Sequence, residues 1–232
     1  MNTTPFKRLF VDSWSVYQKI ITSNYMFHRE IHVEVERLLD SFQPSSFAFL
    51  DLGCGDASMI APLLKSHGTG SYTGVDLSDT ALAQASSNLA SLSCPITLKN
   101  TDMLRFLQED TESYDVIFSS YALHHLNSHD KRTFLKACHR RLNSTGSLIM
   151  IDITRDEHQD LPEFLDTYCR IIELEWSDLS PEEANHVTNH VRENDLPEQT
   201  GDLRAMALNA GFRSFDVISR LGCHMLAHIP KH

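Results

Sequence analysis

Two glycines and two carboxylates crowd into seven residues at Asp51-Leu52-Gly53-Cys54-Gly55-Asp56-Ala57, directly after the apolar run Phe47 to Leu52. Glycines at the end of a buried strand let the chain turn tightly and let a ligand approach main-chain N–H groups with no Cβ in the way. A helix opening just beyond would add unpaired N–H donors. A further acid, Asp76, closes the next apolar run twenty-one residues after Gly55. A carboxylate there suits a ribose diol, which offers two O–H donors. Together these residues describe a site for a nucleoside cofactor.

The loop also discriminates between such cofactors. A pyrophosphate usually requires a third glycine for close approach. That region here holds Asp56, Ala57 and Ser58, and an acid beside a pyrophosphate repels it. Acids at both ends of the loop favour a ligand with positive charge and a zwitterionic tail. S-adenosylmethionine, with its sulfonium, ammonium and carboxylate, fits that description better than a nicotinamide dinucleotide, which is the runner-up.

The elements that must position these residues follow from periodicity. Apolar strand runs at 47–52, 72–76, 96–98, 115–119 and 147–152 alternate with amphipathic helical patterns, so a parallel sheet covered on both faces is expected. Two runs bracketing Leu221-Gly222 predict a closing antiparallel hairpin. The fold class is therefore α/β: a doubly wound, mostly parallel sheet with a closing antiparallel hairpin, a helical N-terminal lid and a helical insertion. The chain divides as one domain, 1–232: lid helices at 1–44, a cofactor-binding core at 45–154, an acidic helical cap at 155–200, and a C-terminal helix and hairpin at 201–232.

The strings DLGCGDA, GVDLS, TDML and YDVIFSSYALHHL, in that order and spacing, resemble the class I S-adenosylmethionine-dependent methyltransferases of small-molecule type. The resemblance covers roughly Phe47 to Asp152 and continues through the closing segment. It implies a Rossmann-like fold, S-adenosylmethionine as methyl donor and S-adenosylhomocysteine as product. It implies that Asp51, Gly53 and Gly55 line the methionine end, with Cys54 offering main-chain contacts. Asp76 would hold the ribose hydroxyls and Leu77 would pack on the adenine. Asp102 would accept from the adenine amino group beside Met103. Ser119 would lie near the sulfonium, followed by His124 and His125.

An acceptor must sit beyond the carboxyl ends of the strands. Two segments are available to cover that mouth, Trp14 to Glu30 and Asp156 to Glu198, which are expected to be the most mobile parts. In the first, Tyr17 or Tyr25 would touch the sulfonium, the carboxylate or the acceptor, and Arg29 would bind a carboxylate bidentately. In the second, His186 and His190 are four apart and share a helix face. His28 or His190 is expected to act as base or substrate anchor, with His124 and His186 beside the acceptor. The sequence places no third ligand near the histidines, so no metal is expected.

Charge and composition exclude other classes. The net charge is −11. Thirteen acids against three basic residues in 155–200 carry most of it, which repels a phosphate backbone. The basic run Lys131, Arg132, Lys136, Arg140, Arg141 is expected to be a solvated helix face. Five cysteines without a C-x-x-C pair point to reduced thiols in a cytoplasmic protein. No run is long enough to span a membrane, and no secretory leader is expected. The expected partner is a small-molecule acceptor, without nucleic acid or membrane, in a monomer or homodimer. The alternatives are a protein methyltransferase, a non-catalytic cofactor-binding module, or carboxymethyl or aminopropyl transfer with the same cofactor.

Overall fold

The computed structural model describes residues 14–42 and 46–232. The first thirteen residues and 43–44 of the expected lid, and residue 45 of the expected core, lie outside them. Strand β1 (Ala48–Leu52) is almost wholly buried, as a central strand covered on both faces must be. It is followed by α3 (Ala61–Ser66), β2 (Ser71–Asp76), α4 (Asp79–Leu89) and β3 (Ile96–Asn100); α1 (Trp14–Thr22) and α2 (His28–Asp40) precede it. Next come α5 (Met103–Glu109), β4 (Tyr114–Ser120), a 3₁₀ turn at Leu123–His125, α6 (Ser128–Arg141) and β5 (Leu142–Ile153). The insertion supplies α7 (Leu161–Glu175) and α8 (Pro181–Asn194). Helix α9 (Thr200–Ala210) and the hairpin β6 (Asp216–Leu221) and β7 (His224–Pro230) end the chain.

The seven strands run in the order β3-β2-β1-β4-β5-β7-β6. The first five in that order are parallel, and β7 lies antiparallel between β5 and β6. The order reverses between β1 and β4, which opens a crevice at their carboxyl ends. Alternate strand residues feed the two sides of the sheet. Leu50, Leu52 and Ile117 join one core cluster, while Phe49, Val116 and Phe118 join the other.

Helix starts follow side-chain caps. Ser78 accepts from the Ala81 N–H, Asp160 from Glu163, and Ser180 forms a capping box with Glu183. A third apolar cluster ties the lid together: Val16 and Ile20 of α1 pack with Phe164, Tyr168 and Ile172 of α7, Trp176, and Val187 and Val191 of α8.

The basic run is not uniformly solvated. Lys131 is 1% exposed. Its ammonium donates to the Leu196 carbonyl and lies 3.5 Å from Glu198. Arg155 donates to the Pro197 carbonyl at 2.8 Å, and Leu196 donates to the His124 carbonyl at 2.8 Å. A cation that sequence patterning assigns to solvent therefore anchors the end of the insertion to the core.

Candidate active site

The glycine loop is folded by its own hydrogen bonds. Gly53 N and Cys54 N both donate to the Val75 carbonyl, at 2.9 and 3.0 Å. Gly55 N donates to Asp76 Oδ2 at 2.9 Å, and Ser78 N donates to Asp76 Oδ1 at 2.8 Å. These amides are committed, and α3 begins only at Ala61, so the loop does not present an open row of donors to a pyrophosphate. Both glycines have positive φ, +76° and +53°. A Cβ at Gly53 would stand 2.6 Å from the Ala122 Cβ, whereas one at Gly55 would enter open space. That open space lies beside the Asp76 carboxylate at the end of β2.

A cavity of about 520 Å³ opens from this loop. At one end it is lined by Gly53, Gly55, Asp76, Leu77, Asp102 and Met103. At the other it is lined by Val16 and Ile20 of α1, Ile153, Tyr168, Trp176, Val187 and Val191, with His124, His125, His190 and Asp195 among them. A smaller cavity of about 50 Å³ shares Tyr17, Gly53, Gly55 and Ser120 with it and reaches Asp51, Cys54, Asp56, His28 and His32. Among the described residues no lysine or arginine lines either cavity. Ten of the insertion's thirteen acids are exposed, and Asp195 alone of them lines the chamber. The acid-rich composition of the cap thus describes its outer surface.

Most site residues predicted for the cofactor surround these cavities. Asp51 is buried and accepts from the Tyr72 hydroxyl at 2.8 Å. Burial raises its carboxyl to about 7; the Tyr72 hydrogen bond opposes the shift and nearby Asp76 adds to it. Burial likewise raises Asp76, against hydrogen bonds from Ser78, Gly55 and Leu77. Asp102 both lines the chamber and caps α5, with Oδ1 accepting from Leu104 N and Arg105 N at 2.9 Å each. Tyr17 lines both cavities. Burial, then the charges of Asp56, Asp76 and Asp51, push its phenol up and keep it protonated.

Several predicted residues stand elsewhere. Arg29 is exposed and donates to the Thr22 carbonyl at 2.7 Å, so it faces neither cavity. Tyr25 is not in the chamber lining. It stacks on Trp176 at 5.1 Å, and its hydroxyl accepts from Asp178 N at 2.7 Å, which joins the N-terminal segment to the insertion. Ser119 is buried, and strand alternation turns Ser120 to both cavities in its place. His186 is exposed on the outer side of α8, while His190 faces inward. His28 does not share the acceptor end with His190: it lies by the smaller cavity, stacked on Tyr121 at 5.2 Å. Burial lowers His28 and His190 to about 4, against the raising effect of Glu30 on the first and Asp195 on the second.

Sequence inspection missed the partners of the histidines. His124 Nδ1 is hydrogen-bonded to Asp152 Oδ1, and the His124 amide donates to Asp152 Oδ2 at 3.0 Å. Burial alone would lower the His124 imidazole, but Asp152 and then Asp195 raise it overall. Asp195 follows α8 as its C-cap, a position on no face of the helical pattern. Asp152 ends an apolar strand and reads there as an interruption. Tyr168 and Trp176, which pack in the third apolar cluster, are also chamber walls.

Residues 49–146 match the family model described as a methyltransferase domain. A carboxy-S-adenosyl-L-methionine synthase of Campylobacter fetus is 20% identical over 208 residues, covering 88% of this chain and 86% of that protein. Its counterpart from Campylobacter jejuni is 26% identical over 136 residues, 59% of this chain and 57% of that protein. Among solved structures, a magnesium protoporphyrin IX methyltransferase from Synechocystis, with bound S-adenosylhomocysteine, superposes with a TM-score of 0.68 at 15% identity, covering 99% of each chain. The matched segment holds the glycine loop and the acids at its edges, and it is similar to methyltransferase domains within a fold shared with the Synechocystis methyltransferase.

Proposed function

We propose that the protein methylates a neutral, largely apolar small molecule inside the chamber roofed by α1, α7 and α8. The observation that carries this is the two-ended cavity of about 520 Å³, with Gly53, Gly55, Asp76, Leu77, Asp102 and Met103 at one end and a wall of Tyr168, Trp176, Val187 and Val191 at the other. S-adenosylmethionine supplies an activated methyl group, so the protein has chiefly to align and desolvate two partners. Asp51 would hold the ammonium, Asp76 the ribose diol, and Leu77, Asp102 and Met103 the adenine. Cys54 adjoins the methionine end. Tyr17, held neutral by burial, would offer a hydroxyl between the two ends. Without a lining lysine or arginine, an anionic acceptor would have little to compensate its charge. A roof over the crevice favours a small molecule over a protein side chain.

Calorimetric titration with S-adenosylmethionine and S-adenosylhomocysteine, beside Asp76→Ala, tests the first half. Binding near −8 kcal/mol, or about micromolar, is expected, with a loss of at least tenfold in the variant. Absence of binding to either ligand would overturn the reading. A screen of small acceptors monitored by S-adenosylhomocysteine release tests the second half. Turnover only with anionic acceptors or with proteins would refute the stated acceptor class.

A further inference from the structure

We infer that His124, His125 and Asp195 form a binding site for a divalent first-row metal ion at the acceptor end of the chamber. Candidate ligand atoms of the three residues lie within 4.8 Å of one another. The nitrogens converge on a single oxygen: Asp195 Oδ1 lies 3.3 Å from His125 Nδ1 and 3.7 Å from His124 Nε2. Ligands about 2.0–2.2 Å from a shared ion stand roughly 3.3 Å apart around a tetrahedron, so modest side-chain adjustment completes the geometry. The set gathers residues distant in sequence, two from the 3₁₀ turn after β4 and one from the end of α8.

A second observation points the same way. Asp195 is 5% exposed, and its Oδ1 meets three imidazole nitrogens, of His125, His124 and His190, at 3.3, 3.7 and 3.9 Å. A buried carboxylate ringed by imidazoles at these separations, most of them longer than a hydrogen bond, is a donor set that a cation could draw together. The outer partner of the site is also in place. Asp152 fixes the His124 ring through Nδ1, which directs Nε2 toward Asp195, where a bound ion would take the place of a proton. A carboxylate behind a ligating histidine both orients the ring and raises its basicity. Two imidazoles and one carboxylate on one side of an ion leave coordination positions open, as in catalytic rather than structural metal sites.

The open side faces the chamber, where His190 borders it with its ring 5.5 Å from that of His125. An ion there would orient an acceptor by an oxygen, nitrogen or sulfur donor atom. That consequence, unlike the metal site itself, rests on the methyltransferase reading above.

The test is direct metal binding. Protein stripped with a chelator is titrated with Zn²⁺ by calorimetry and with Co²⁺ by visible absorption, beside Asp195→Asn, His125→Asn, Asp152→Asn and the exposed control His129→Asn. One ion per chain is expected, with the d–d bands of a four- or five-coordinate cobalt. Affinity should fall at least 100-fold in Asp195→Asn and His125→Asn, by about 10- to 100-fold in Asp152→Asn, and not at all in His129→Asn. S-adenosylhomocysteine affinity, measured on every variant, reports folding and the cofactor site separately. No tight binding in the wild type would overturn the inference, as would equal binding in the ligand variants while S-adenosylhomocysteine affinity is retained. Loss of S-adenosylhomocysteine binding by the wild type would refute the methyltransferase reading and leave the metal titration interpretable.

Discussion

At the scale of single residues, the proposed contact of Asp51 with the cofactor's ammonium would make binding depend on pH. Its carboxyl, raised to about 7 by burial, is largely protonated at pH 6. An ammonium group beside it requires the ionised form, so S-adenosylmethionine affinity should rise between pH 6 and 8, approaching tenfold per unit on the acid side. The apo protein responds in the opposite sense. A raised folded-state pKa means the native state holds the proton longer, so stability declines as pH climbs from about 4 to about 7. Calorimetry across that range would test the affinity trend, and Asp51→Asn should abolish its slope; an unchanged slope refutes the assignment. The two glycines should separate in the same way. Gly53→Ala sets a Cβ 2.6 Å from Ala122 at a positive φ and should cost about 1–3 kcal/mol in thermal unfolding. Gly55→Ala meets open space in the apo protein, so its larger effect should fall on cofactor affinity.

At the scale of elements, legibility depended on whether a residue's role is local. The glycine loop, Asp76 and Asp102 act where strands end and helices begin, and chain order exposes those junctions. Strand boundaries were readable for the same reason, although β5 begins at Leu142 instead of Ser147 because Gly146 lets the edge of the strand run close against the Tyr114 and Asp115 carbonyls. Asp195, Asp152 and buried Lys131 act across long sequence separations, and no periodicity marks such meetings. Tyr121 is a further case. At φ +51°, just past β4, its hydroxyl donates to the Met26 carbonyl at 2.7 Å and lies 3.2 Å from His224 Nδ1. The phenol has one hydrogen and gives it to Met26, so His224 must donate Nδ1–H in return. Burial lowers His28 and His224 to about 4, with Glu30 opposing the shift at the first; at His224, His28 adds to it and Asp152 opposes it. Histidines with depressed folded-state pKa values contribute stability that is lost as pH falls from about 6.5 to about 4. Acid should therefore loosen the attachment of α2, with a cost on the order of 2 kcal/mol per buried ring by pH 5. Tyr121→Phe should lower the melting temperature at pH 7 by removing a bond worth about 1 kcal/mol. An unchanged melting temperature would show that Met26 is held by packing alone.

At the scale of the whole molecule, the N-terminal segment and the insertion form one roof although about 130 residues separate them in sequence. Lys19 pairs with Glu183 at 2.7 Å, and Ser23 donates to Asp178 at 2.6 Å. Tyr25 stacks on Trp176, and the apolar cluster of α1, α7 and α8 lies beneath these polar ties. The exposed ion pair adds little by itself, so the apolar cluster and the stacked ring pair hold the roof together. The insertion is in turn fastened to the core at its C-terminal end by Lys131 and Arg155. These ties predict that α1 and the N-terminal half of the insertion move as a unit about that fastening when a ligand enters. Limited proteolysis should then show cleavage in 14–30 and in 176–183 protected in parallel when S-adenosylhomocysteine is added. Tyr25→Ala should expose both stretches together, because removing one face of the stack frees α1 and α8 alike. Protection of one stretch without the other would mean that the two segments open independently, and the roof would be two flaps instead of a single lid.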